Sequence, residues 1–497
     1  MAVARILPDH SHLTSAMTRL TTLFLLLAQF GFAGAAAAQD AKAVIAEAMQ
    51  AMGVTPAFTS VSYSGTAAYG NFLQSRGLSF GLASTSIRDY QRTIDFTRGM
   101  SRATGVAQPP GAPNGVPPGP FDDVITPQSP GNRQLEIWTT PWGFLLGAAK
   151  RPVTMKSERI QPPGAAEKLP TLYRAVTWTT PFKAPSGKPY TIIGYIGPSN
   201  LVEKVETWID QPFMGDLEVM FSYADYADAN GLKVPTKISQ KNIGMEVYVA
   251  GPVQAAMNPP ELEKLLTEAI TPKPAAPVPP AMTSIKLADG VYRLTGGYDA
   301  LAVELKDQAV IIGGGRDETR ALALLAETKR LFPGKAIKTA VSLHGHVDHA
   351  MVLPTFVSEG LTIYCDDSNQ YFLEQSLLLP RTLLTDALAK TKKKPKIVGI
   401  QEKLVLGDAS HSVELYHLKQ IPHADGMLAV WLPKEKLLFV SDVELPVAGE
   451  APSPSLLAVL QNIDELALDF ETFMTNGPDS IDPISKTELF ARIQKGK

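Results

Sequence analysis

The chain of 497 residues has a single cysteine, Cys365, so no internal disulfide can staple it. The apolar setting of that residue in "LTIYCDD" predicts a buried, unreactive thiol. A surplus of charge is also missing, because 46 Lys and Arg stand against 49 Asp and Glu for a formal net charge of -3. Such a chain has no field of one sign with which to hold a polyanion, which argues against nucleic acid and for a small-molecule substrate. Histidine is scarce, at 8 residues, yet three of them fall in the six positions from His344 to His349.

Long apolar runs are confined to the beginning. Arg19 precedes the run Leu20–Phe32, broken only by Thr21, Thr22 and Gln29, and small residues follow at Ala36 and Ala38. This pattern reads as an export signal spanning residues 1–38 and cleaved after Ala38, with Met17 as an alternative start. No cysteine follows the run to take a lipid, and no second run reaches the roughly 20 apolar residues of a membrane span. The expected location is periplasmic or secreted, with no membrane span after cleavage. No feature of the sequence fixes an oligomeric state.

Residues 40–260 read as a mainly β N-terminal domain. "SVSYSGTAAY", "SIRDYQRTIDF", "LVEKVETWID" and "DLEVMFSYADY" alternate β-branched or aromatic residues with polar ones, as half-buried antiparallel strands do. "AKAVIAEAMQAMG" predicts an opening helix stopped by Gly53, and the Pro- and Gly-rich stretch 108–132 predicts a long loop. The part around 225–251 resembles the closing hairpins of periplasmic lipoprotein-carrier proteins. Residues 261–283, with "TPKPAAPVPPAM" at their centre, read as a stiff linker, and a chain begun near Ser284 is expected to fold by itself. From residue 284 to 497 strands alternate with helices, one of them starting at Asp317 as N-cap; Gly313–Gly315 lack nucleotide-binding spacing and read as a tight turn.

The stretch "SLHGHVDHA" follows the strand-like "AIKTAVSL", so its polar side chains sit in a loop at a strand's carboxyl end, where α/β folds gather binding groups. His344 and His346 can turn to one metal ion, with Asp348 and His349 facing a neighbouring position. Zinc takes imidazole nitrogen and carboxylate oxygen, and a catalytic site keeps one position for water. Farther on, "MLAVWL" and "KLLFVS" read as a hairpin that delivers Asp442 at its exit, with His423 in the loop before it. His411 and His417 read as structural residues.

H-x-H-x-D-H, standing here as His344, His346, Asp348 and His349, resembles the signature of the metallo-β-lactamase superfamily. His423 matches its third zinc-binding histidine and Asp442 the aspartate that bridges two metals. The resemblance implies an α/β fold, an αββα sandwich, over residues 284–497. It also implies zinc as cofactor and a hydrolase in which metal-activated water attacks an ester, lactone, thioester or amide carbonyl, with Asp348 as the catalytic proton acceptor. Two departures stand out. "FMTNGPDS" places Asn476 where the superfamily has a further histidine, so one zinc is expected, the second being weak or absent, and Asn476 becomes a candidate substrate contact. "VIIGGG" lacks an aspartate that many members carry, which predicts looser scaffolding of the histidine loop. The alternative reading is a non-catalytic or degenerate metal-binding envelope protein with a lipid-binding β-domain.

Overall fold

The computed structural model describes residues 40–70, 72–74, 76, 84–109, 117–161, 169–267, 281–407, 411–446, 451–477 and 481–495. The expected export signal and residues 268–280 of the linker lie outside these. The architecture is mixed α/β and contains one large antiparallel sheet. That sheet has eleven strands in the N-terminal half, and the strand Ser60–Gly70 joins its two parts by pairing with Met245–Met257, Ala67 opposite Ala250. The alternation seen in the sequence faces large residues onto one apolar cluster, where Trp142, Phe144, Trp178 and Tyr190 are all at most 2% exposed. A helix over residues 40–52 packs into this cluster and stops at Gly53, whose φ of 73° is the left-handed conformation of a helix stop.

Three stretches differ from expectation. Within the supposed loop 108–132, Gly119–Ile125 forms an edge strand on Met100–Gln108, tied down by a two-pronged contact between Arg102 and Asp122 at 2.8 Å. Pro120 is tolerated there because an edge strand leaves one row of backbone groups outside the ladder. Two helices, Gly131–Trp138 and Pro141–Ala149, also sit inside the mainly β half; Thr140 caps the second by accepting from the Gly143 amide. The expected linker opens instead with a helix, Leu262–Thr267, that buries Leu266.

The C-terminal half holds a seven-stranded and a six-stranded sheet. Strand Met427–Leu432 is buried along its whole length because its two faces serve different clusters. Met427, Ala429 and Trp431 join one with the helix Pro454–Glu465, while Leu428, Val430 and Leu432 join another. The strand Gln308–Ile312 divides in the same way, with Val310 and Ile312 meeting Val430 between the sheets and Ala309 and Ile311 packing with the helix Glu318–Leu331. Asp317 caps that helix through the Arg320 amide at 2.7 Å.

The two halves share apolar packing. Leu73, Phe213, Met214 and Leu217 from the first belong to the same cluster as Phe356, Leu373 and Leu377 of the second. The Phe213 and Phe372 rings meet at a tilt with centroids 6.0 Å apart, and the Asp216 carboxylate accepts from the Thr382 and Leu383 amides at 2.9 Å each. A chain begun at Ser284 therefore leaves part of this cluster uncovered, and the expectation that it folds by itself loses its footing. The full chain with Phe213→Ala is expected to lose about 3–5 kcal/mol, the usual consequence of emptying a buried aromatic position. Urea unfolding followed by fluorescence measures this; a loss below about 1 kcal/mol would mean that the contact between halves is loose.

Candidate metal centre

Strand Ala336–Val341 lies in the middle of the seven-stranded sheet and delivers the histidine loop at its carboxyl end. Two close approaches set the loop's course. A side chain at Gly345 would put its Cβ 2.7 Å from Asn369 Oδ1, and one at Gly314 would come within 2.3 Å of the His349 carbonyl. The glycine-rich turn thus lets two backbones touch. Scaffolding here is by contact, and the loosening expected from the missing carboxylate has a structural substitute. After His346 the chain makes one short helical turn, Val347–Ala350, which carries Asp348 and His349.

On the opposite sheet, strands Met427–Leu432 and Leu437–Val440 form the expected hairpin, and Asp442 follows its exit with φ at 51°. Aspartate is among the few side chains that visit this left-handed region with little penalty. The Asp442 amide donates to the Asn476 carbonyl at 3.0 Å, which fixes the turn.

Four of the expected ligands converge: one ligand atom from each of His344, His346, His423 and Asp442 lies within 4.8 Å of every other. Asp442 Oδ2 is 3.3 Å from His344 Nε2, 2.9 Å from His349 Nε2 and 3.3 Å from His423 Nε2. The His344 and His346 rings are buried, whereas His423 is 29% exposed and gives the cluster an open side. Burial, then the neighbouring His349, pushes His344 down to about 3, so its imidazole is neutral at pH 7, the form that binds metal. Burial opposes ionisation of Asp442, but the three imidazoles outweigh it and hold the carboxyl well below the usual carboxylate range.

The donor set fits a cation. Nε2 of His344, His349 and His423 is buried and faces Asp442 Oδ2 without a well-directed hydrogen bond, and Nδ1 of His344 and of His349 is buried with no hydrogen bond. An unsatisfied buried polar atom costs about 1–3 kcal/mol, and a cation at the centre would relieve the Nε2 atoms that face it. Imidazole nitrogen with carboxylate oxygen is the mixture that zinc accepts, and the burial on one side with access on the other suits a site that must admit a reactant.

Asp348 stands at the edge of the cluster, its Oδ2 3.9 Å from His349 Nε2. Gln74 donates to its Oδ1 at 2.5 Å and the Tyr298 hydroxyl to its Oδ2 at 2.7 Å. Burial raises its pKa, yet the His349 ring and these two donors prevail and keep the carboxyl ionised. Tyr298 and Gln74 were not visible as site residues in the sequence. Tyr298 sits in the turn between Val291–Leu294 and Ala300–Glu304, edge-on to His349 with centroids 4.8 Å apart, and accepts from Arg316 Nε at 2.7 Å. The run "TGGYD" signalled a turn and nothing more.

Asn476 lies where expected, beside Asp442, but its side chain does other work. Its Oδ1 accepts from Ser441 Oγ at 2.6 Å and its Nδ2 donates to the Asp299 carbonyl at 2.9 Å. With both ends of the amide engaged and the residue 1% exposed, it braces the Asp442 turn, and the expected substrate contact is not what it makes.

No family model matches the chain, and no curated protein matches it. Among solved structures, a metallo-beta-lactamase from Pontibacter korlensis is similar at 16% identity, over 43% of this chain and 98% of that one, with a TM-score of 0.33. One from Erythrobacter litoralis is similar at 15%, over 43% and 96%, with 0.32. The DIM-1 metallo-beta-lactamase is similar at 18%, over 44% and 98%, with 0.33. At such scores the functional reading has to stand on the residues of the site.

Of the other described histidines, His411 and His417 are structural in their contacts. His411 Nε2 lies 2.8 Å from the Asp289 carbonyl, and His417 Nδ1 lies 2.5 Å from Asp366 Oδ2, the cap of the helix Asp367–Leu378. The Asp366 contact raises the His417 pKa. A raised folded-state value means that the pair's stabilisation is fully present below the unfolded histidine value of about 6.5 and fades as pH rises through the folded one. His417→Gln should therefore lower Tm most near pH 5.5 and least near pH 9. A deficit that is constant across this range would show that the contact is not an ion pair.

Proposed function

We propose that this chain is an exported zinc-dependent hydrolase that acts on an ester, lactone, thioester or amide of a small molecule. The observation that carries the reading is the convergence of His344, His346, His423 and Asp442 into one buried donor cluster with an open side at His423. These four side chains would hold the metal. His349, in contact with Asp442, and Asp348 would serve a second, weaker position or remain its neighbours. When bound, zinc supplies Lewis-acid polarisation of a carbonyl and acidifies water.

The chain's own groups do the rest. Asp348, kept ionised, is the proton acceptor, and its two oxygens are aimed by Gln74 and Tyr298. Arg316 fixes the Tyr298 hydroxyl, so the carboxylate is held before reactants arrive. The four-layer αββα arrangement belongs to the same reading, favoured by apolar clusters between the two C-terminal sheets and against the helices on each. No helix among the described residues is long and apolar enough to cross a membrane.

The test is elemental analysis of the purified full chain together with turnover of a panel of 4-nitrophenyl esters, lactones and thioesters. The wild type is expected to carry at least one zinc per chain and to turn over a member of the panel. His346→Ala is expected to lose the metal and to lower kcat/KM at least a hundredfold. Metal without turnover would favour the envelope-protein alternative; full metal and activity in His346→Ala would refute the ligand assignment.

A further inference from the structure

One short stretch of the N-terminal half reaches both loops that carry the ligand residues. The Leu73 carbonyl accepts from the Val347 amide at 3.1 Å, the first residue of the turn that bears Asp348 and His349. Gln74 Nε2 donates to Asp348 Oδ1 at 2.5 Å. The Arg76 carbonyl accepts from the Asp425 amide at 2.5 Å, and Arg76 Nε meets Asp425 Oδ1 at 3.1 Å, two residues beyond His423. Leu73 anchors the stretch, since it is 7% exposed and packs in the cluster with Ala350, Val352 and Phe356.

We infer that Leu73, Gln74 and Arg76 form a strap from the N-terminal half that positions the metal centre, with Gln74 as the positioning residue of Asp348. The inference rests on the reading of the cluster as a metal site. Its physical basis is that His344 and His346 lie on one loop and His423 on another, and no chain segment between them is short. Their spacing is set by direct contact, the Leu428 amide donating to the Leu343 carbonyl at 2.9 Å, and by what spans them. The strap spans them with two backbone hydrogen bonds, a side-chain amide and an ion pair. Residues that hydrogen-bond to the groups around a metal site without ligating are typically worth 10–100-fold in metal affinity or activity. The N-terminal half is then a component of the centre and more than a neighbour of it.

The experiment uses the metal-free full chain and Co²⁺ as the probe, with affinity read by chelator competition and ligand geometry by the visible absorption of the bound ion. Gln74→Met keeps the bulk of the side chain and removes the donor; Gln74→Glu sets a second carboxylate against Asp348; Arg76→Ala removes the contact to Asp425 from a partly exposed position. Each is expected to weaken Co²⁺ binding at least tenfold and to change its absorption bands, with Gln74→Glu differing most from Gln74→Met in the bands. The Tm of the metal-free protein is expected to stay within about 3 °C, which a merely structural role would not combine with a changed spectrum. If an ester of the panel is turned over, Gln74→Met should lower kcat about tenfold and change KM less than threefold. Wild-type affinity and spectrum in both Gln74→Met and Arg76→Ala would overturn the inference. A wild type that binds Co²⁺ but hydrolyses nothing would count against the proposed reaction alone, since the spectra decide the role of the strap.

Discussion

Everything in this molecule that bears on function depends on the crowding of imidazoles around one carboxylate oxygen, Oδ2 of Asp442. The Nε2 atoms of His344, His349 and His423 approach it to 3.3 Å or less, buried and without a well-directed hydrogen bond. Unaided, such a cluster is costly, because imidazole rings and an ionised carboxylate are taken out of water together. It persists only if the surrounding fold forces it or a cation compensates it, and the fold has features of both kinds. The rest of the C-terminal half can be understood as the means of bringing two loops from two sheets to within a few ångströms.

Those means are backbone contacts more than side-chain charges. Gly314 lets the glycine-rich turn touch the His349 carbonyl, Gly345 leaves room for Asn369, and the Asp442 turn is pinned by Asn476, itself bonded to Ser441 and to the Asp299 carbonyl. The turn that holds Tyr298 is fixed in its course by Arg320, which donates to the carbonyls of Thr295 and Tyr298. Side chains braced in this way lose little freedom when a reactant arrives, which is the condition for a site to act without reorganising. The strap from the N-terminal half extends the same logic across the chain and accounts for a shared apolar cluster that independent halves would not need.

The parts legible in the sequence were those written in local spacing. His344 to His349 lie within one loop, the hairpin leading to Asp442 is marked by two apolar runs and a polar turn, Asp317 caps its helix, and Gly53 ends the first one. What was not legible came from contacts between distant residues: Gln74 reaches Asp348 across 274 positions, and nothing in "NFLQSR" marks it for that task. Asn476 was found in place but misread, since composition cannot say which way an amide faces. The edge strand Gly119–Ile125 was hidden by its prolines, which in isolation argue against pairing, whereas the Arg102–Asp122 contact that holds it is visible only after folding. The shared packing of the halves was hidden for the same reason, as Phe213 and Phe372 carry no sequence mark of being neighbours.

The most direct test of a metal centre built from His344, His346, His423 and Asp442 is X-ray absorption spectroscopy of the full chain loaded with one equivalent of zinc. The expected first shell has about three nitrogens near 2.0–2.1 Å and one or two oxygens, with the outer-shell scattering that imidazole rings produce. A shell of oxygens alone, or one without imidazole scattering, would contradict it.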